Sequence, residues 1–191
     1  MSKQNIFFIV LIILSVYLSG CIFSDPPDVP IDPKVEAVSK YYMNADHLLK
    51  KRHYQEAIAE YDRVLATKIP DRYAWSQKGY CYYLLGRYQD AVNSYKQAIA
   101  LDPGYSDDWS MMGSSLSSLQ QPAEALNALD KAIALDPKNE YAWMMKGDVL
   151  TKLERYSEAI DACDSALYLD PEDETAKYNK EMAVRKLQMS K

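Results

Sequence analysis

The chain has 191 residues, 48% of them hydrophobic and 26% charged, with 22 Lys and Arg against 27 Asp and Glu for a formal charge of −5. That composition supports a buried core and excludes a disordered polymer. A net acidic chain without a basic run points away from nucleic acid as the main ligand, and away from adsorption to anionic lipid through charge alone.

Only Lys3 is charged among residues 1–20, and it precedes an apolar run, Ile6–Leu18, in which Ser15 is the one strongly polar residue. A short positive start, an apolar run of this length and small residues after it predict a secretory signal over residues 1–20. Extended through Phe23, the run nears the lower limit for crossing a hydrocarbon core about 30 Å thick, so an uncleaved helix with its N-terminus inside is the alternative. The stretch Leu18-Ser19-Gly20-Cys21 resembles the lipobox of prokaryotic lipoproteins: an aliphatic residue, two small residues and a cysteine. The resemblance implies a diacylglycerol on the Cys21 thiol and cleavage that leaves Cys21 as the first residue, the two acyl chains giving the stable anchoring that one chain does not. Either reading predicts attachment to a membrane, by lipid or by helix, and places the remainder outside the cytoplasm, in a prokaryotic cell envelope.

Residues 21–34 carry Pro26, Pro27, Pro30 and Pro33. Such a segment favours extended polyproline II, and at roughly 3.1 Å per residue it spans up to about 40 Å. It reads as a spacer between membrane and domain.

From residue 35 the chain repeats. Trp75, Trp109 and Trp143 recur every 34 residues, with Tyr41 in the preceding slot; Gly79, Gly113 and Gly147 do the same, preceded by Ala45. Ala57, Ala91, Ala125 and Ala159 keep the same interval, and Asp-Pro at Pro103, Pro137 and Pro171 closes three units. Aligned at an offset of 68, the stretches from Ala74 and Ala142 are identical at 12 of 30 positions. Apolar residues within a unit fall at helical spacing, interrupted at Gly86-Arg87 in the second unit, so each unit predicts two helices of about 14 residues ended by Asp-Pro.

This pattern of tryptophan, glycine, alanine and proline resembles the tetratricopeptide repeat. The resemblance implies an all-α fold, a right-handed α-solenoid of antiparallel helix pairs. Four units, 38–71, 72–105, 106–139 and 140–173, are expected within a body spanning 35–173. Residues 174–191 form a capping helix that covers the last exposed core face. The first unit departs most from the pattern, with Pro70 one place late. In that frame two repeats separate Cys81 from Cys163, too far for a disulfide, and both read as small buried residues.

No sequence arrangement suggests catalysis. There is no G-x-S-x-G, H-E-x-x-H, phosphate-binding glycine loop or G-x-G-x-x-G. His47 and His53 lack ligand partners at a known spacing, and the acidic clusters lack the order of a calcium loop. The expectation is therefore no enzyme, no metal and no cofactor.

The resemblance instead implies a concave groove, lined by the first helices, that holds a protein or extended peptide of unknown identity. Mapped onto this chain, the groove positions are Tyr42 and Asp46 in the first unit and Tyr73, Ser76, Tyr80 and Tyr83 in the second. The third unit contributes Asp107, Ser110, Ser114 and Ser117, and the fourth Tyr141, Met144 and Asp148. The serines predict room for a bulky ligand side chain or a close backbone. Chaperone-binding members of the family clamp a C-terminal carboxylate with lysine and asparagine, but here those slots hold Tyr42, Asp46 and Asp107. An acidic tail would meet repulsion. The alternative to partner binding is a structural scaffold that self-associates.

Overall fold

The computed structural model describes the backbone of residues 33–190 and the side chains of residues 35–190. Cys21, the apolar segment before it and the linker as far as Asp32 lie outside the described residues. Within them the chain is all-helical: α1 (Pro33–Lys50), α2 (Tyr54–Ala66), α3 (Arg72–Leu84), α4 (Tyr88–Leu101), α5 (Ser106–Ser118), α6 (Pro122–Leu135), α7 (Glu140–Lys152), α8 (Tyr156–Leu169) and α9 (Glu174–Met189). None of these helices is long and apolar enough to cross a membrane. Helix α1 begins at Pro33, two residues ahead of the expected start, as suits proline at a first helical position.

Helices pair in chain order, α3 with α4, α5 with α6 and α7 with α8, while Ala45 of α1 shares a buried cluster with Ala57, Ile58 and Tyr61 of α2. Each later first helix also packs on the second helix before it, and α9 packs on α8 and α7. The pairing is written into the turns. His53, Arg87, Gln121 and Arg155 donate their amides five residues back, to Leu48, Tyr82, Leu116 and Leu150. The residue before each bonds three back, which completes a Schellman motif in all four units. That motif needs one left-handed residue, and it falls at Arg52, Gly86, Gln120 and Glu154, with φ between 59° and 72°. Glycine occupies the site only in the second unit; the other three units hold an L side chain in a conformation it disfavours.

Unit ends are equally regular. Asp102, Asp136 and Asp170 stop the second helices in extended conformation, and their carboxylates accept from the amides of Gly104, Lys138 and Glu172. The indoles of Trp109 and Trp143 donate to the carbonyls of Pro103 and Pro137, fixing the next unit's first helix to that turn.

Inside each pair the repeating glycine faces one residue of the second helix, and that residue shrinks along the chain: Tyr95 against Gly79, Leu129 against Gly113, Cys163 against Gly147. A Cβ on Gly79 would lie 3.0 Å from the Tyr95 ring and one on Gly113 2.8 Å from Leu129 Cγ, while one on Gly147 would collide outright with Cys163 Sγ. Small residues thus set helix separation, and the core fills around them with Ala91, Val92, Leu129, Ala132 and Val149. Cys81 and Cys163 are free, fully buried thiols whose pKa burial pushes up to about 12 and about 11, which leaves them unreactive.

A ladder of ion pairs runs along the face of the first helices turned away from Tyr80. Lys78, Lys146 and Lys180 reach back to Asp62, Asp130 and Asp164 of the preceding second helix. The first two lie over Trp75 and Trp143, at 5.0 and 5.3 Å from the ring centres.

Candidate functional site

The opposite face of the first helices carries the groove positions expected from the sequence, and the structure separates them into two groups. One group is open. Asp46, Tyr73, Tyr80 and Asp107 are exposed, Tyr73 and Tyr80 at 44% and 39%, and Met144 and Asp148 are half-buried. Asp148 pairs with Lys152 at 2.8 Å, one turn along α7.

The other group is closed. Ser110, Ser114 and Ser117 are 2%, 0% and 2% exposed, so the expected room over the third unit is not there. Neighbouring first helices fill it. Tyr141 of α7 donates to Ser114 Oγ at 2.9 Å, and Ser114 in turn donates to Tyr83 of α3 at 3.0 Å. Lys152 Nζ donates to Ser117 Oγ at 2.8 Å, and Ser110 Oγ bonds back to the Asp107 carbonyl. Small side chains at these positions admit the tyrosines of the adjacent units rather than a ligand.

Four seams tie one unit to the next. Between the first and second, the Tyr42 hydroxyl donates to Asp71, whose other oxygen caps α3 at the Ala74 amide; the Tyr42 ring lies 5.6 Å from that of Tyr73. Burial, then the bond to Asp71, raises the Tyr42 pKa, so its proton is fixed. Between the second and third, Asp108 is 1% exposed and accepts from Arg72 Nη1 at 2.8 Å and from Ser76 Oγ at 2.5 Å. The Arg72 guanidinium stacks over Tyr105 with 3.4 Å to the ring centre. Burial alone would lower the Arg72 pKa, but the hydrogen bond to Asp108 and the negative charge around it together outweigh burial and the pKa rises, so the guanidinium stays charged.

In the sequence Asp108 reads only as part of an acidic cluster and Arg72 is not singled out, although a signal existed: α3, α7 and α9 have Ala74, Ala142 and Ala176, all fully buried, in the Asp108 column. A carboxylate in an alanine column is retained in the interior only with a partner. At the third seam, Asn139 caps α7 at the Ala142 amide and donates to Ser106 Oγ at 2.7 Å and Asp107 Oδ1 at 3.2 Å. At the fourth, Glu140 meets Asp173, the cap of α9. Burial, with the hydrogen bond to Asp173, pushes Glu140 up to about 7. Asp173 is held low despite its burial, by bonds from Glu140 and from the Thr175 and Ala176 amides.

These locks leave one cluster with chemistry to spare. Tyr80, Tyr83 and Tyr141 converge around Ser114 above the buried Tyr95, whose hydroxyl has no partner. Tyr83 accepts from Ser114, so its own O–H is free to donate. The arrangement offers aromatic area and phenolic donors on a fixed frame, and holds no nucleophile paired with a base. Among the described residues no group of three His, Cys, Asp or Glu side chains could hold a metal ion.

A family model described as tetratricopeptide repeat matches residues 42–106 and 110–174. Solved structures share the fold. MamA is 23% identical, with a TM-score of 0.68, over 80% of this chain and 89% of its own. The repeat domain of Arabidopsis OM64 is 27% identical with a TM-score of 0.58, over 60% and 94%. The first repeat domain of Spaghetti (RPAP3), bound to the HSP90 peptide SRMEEVD, is 22% identical with a TM-score of 0.60, over 61% and 93%. No curated protein matches the chain. The chain belongs to the tetratricopeptide repeat family, whose domains are in general non-enzymatic modules for protein and peptide interaction.

Proposed function

We propose that this tetratricopeptide repeat protein binds an extended protein segment across the tyrosine face of its first helices, while tethered outside the cytoplasm as an accessory or assembly factor. The observation that carries the reading is the pairing of exposed Tyr73 and Tyr80 with the free donor of Tyr83, on helices already locked together through Ser114. Preorganised aromatic area with a few polar handles is what a peptide-binding surface needs, because little ordering entropy remains to be lost on binding. Unpaired phenols donate to the carbonyls of an extended backbone. Asp46 and Asp107 on the same face favour a neutral or basic segment and repel an acidic tail such as SRMEEVD.

Tethering rests on Lys3, the apolar Ile6–Leu18 and the Leu18–Cys21 stretch. Crosslinking capture from membranes, with the full chain as bait, tests the face: the Tyr80→Ala, Tyr83→Phe variant should lose the parent's captured species while keeping its circular dichroism and melting temperature. Undiminished capture would move the site elsewhere. Cys21→Ser should abolish lipid labelling and leave an unprocessed precursor; normal processing would refute lipid attachment.

A further inference from the structure

The lysine–aspartate ladder has one missing rung. Where the other seams have aspartate on the second helix and lysine on the next first helix, the seam between the second and third units has Lys96 on α4 and Met112 on α5. Among the described residues Lys96 forms no ion pair, and Met112 is 8% exposed. On α3 and α7 the lysine lies over its own helix's tryptophan, Trp75 and Trp143. Here nothing crosses, and a cavity of about 390 Å³ opens over Trp109. Its floor is Trp109, Met112, Leu116 and Ala128; its rim carries Lys96 and Lys131, with Glu124 as the one acid.

We propose that this cavity is a second binding site, which takes a partner segment presenting one bulky apolar side chain flanked by carboxylates. Two observations made independently fall on the same spot: the break in the sequence ladder and the open volume. The size lies within the range of ligand pockets, and the apolar floor requires an apolar occupant. Lys96, relieved of its ladder partner, and Lys131 supply the charge that selects an acidic neighbourhood, so the preference is opposite to that of the tyrosine face. Opposite preferences on opposite faces let one tethered chain hold two different segments at once.

The test follows the Trp109 indole N–H, assigned by its loss in Trp109→Phe, in ¹H–¹⁵N spectra of the full-length protein. The probe is the blocked peptide GSDFDSG, with GSKFKSG and GSDADSG as controls. The resonance should shift with GSDFDSG, at least tenfold more weakly with either control. Lys96→Asp with Met112→Lys restores the rung and closes the groove; it should keep or raise the melting temperature, weaken binding at least tenfold, and leave capture by the tyrosine face unchanged. Tyr80→Ala should not affect GSDFDSG. The proposal is overturned by the absence of any shift, by equal binding of the lysine peptide, by loss of binding in Tyr80→Ala, or by full binding in the rung-restored variant. A dimer that dissociates in that variant would assign the cavity to a second copy, and would also overturn it.

Discussion

Replacing Asp108 with alanine restores the residue that α3, α7 and α9 carry in that column, and it should nevertheless destabilise the protein. The parent site buries a carboxylate at 1% exposure and balances it with Arg72 at 2.8 Å and Ser76 at 2.5 Å. Removing one member of a buried ion pair costs about 3–5 kcal/mol, chiefly because the other charge is left without its partner. Arg72 keeps 19% of its side chain exposed and stacks on Tyr105, so it recovers part of its hydration and the expected loss is about 2–3 kcal/mol. For a folded unit of this size that is a fall of about 5–10 °C in melting temperature. The neutral Arg72→Met, Asp108→Ala double variant should be less damaged than the single Asp108→Ala, since no charge is stranded. Urea titration followed by circular dichroism on all four proteins of the cycle measures the coupling. An Asp108→Ala variant within about 0.5 kcal/mol of the parent, or a coupling no larger than that, would refute the argument.

Three further outcomes are expected. Gly147→Ala should cost more than Gly79→Ala, upward of about 2 kcal/mol, because its Cβ meets Cys163 Sγ inside contact while the Tyr95 ring can shift a few tenths of an ångström; thermal melts give the order. Gln120→Gly and Glu154→Gly should each stabilise by about 0.5–1 kcal/mol by releasing the strain at φ 60° and 59°, whereas the same change in an exposed helix interior would destabilise. Glu140, raised from 4.5 to about 7 in the fold, holds a proton that the unfolded chain has released, so stability falls as pH rises through that window. Asp173, held low, acts in the other direction and loses its contribution as pH falls through the ordinary carboxylate range. Hydrogen-exchange protection factors at the α7–α9 junction, which divide out the intrinsic base-catalysed rise of exchange with pH, should therefore be larger at pH 5.5 than at pH 8, and Glu140→Gln should flatten that difference.

The repeat period makes the helix pairs legible in the sequence, because glycine, alanine and proline punctuate the chain at fixed intervals and each has one backbone role. The turn at Gly86 was readable; Arg52, Gln120 and Glu154 were not, since nothing in their chemistry announces a left-handed conformation. The tyrosine face was legible as a set of positions, but the fate of Ser110, Ser114 and Ser117 was not. Helical periodicity says which way a side chain leaves its own helix, and is silent on whether the next unit's tyrosine stands there. Asp108 could have been found by comparing each unit with the others column by column, and so could the Lys96–Met112 exchange.

The four seams have a consequence for how the chain finds its order. Units that share 12 of 30 residues at an offset of 68 present nearly interchangeable apolar surfaces, so a unit could dock on the wrong neighbour with little loss of hydrophobic contact. Polar chemistry tells them apart. Tyrosine to aspartate, arginine to aspartate, asparagine to serine and glutamic acid to aspartate are four different handshakes. A chain that skipped its third unit would set Ala142 where Arg72 requires Asp108, and would leave a guanidinium with no answer. The seams thus act as addresses, which favour the one linear order of look-alike parts in which each seam's polar groups meet their own partners.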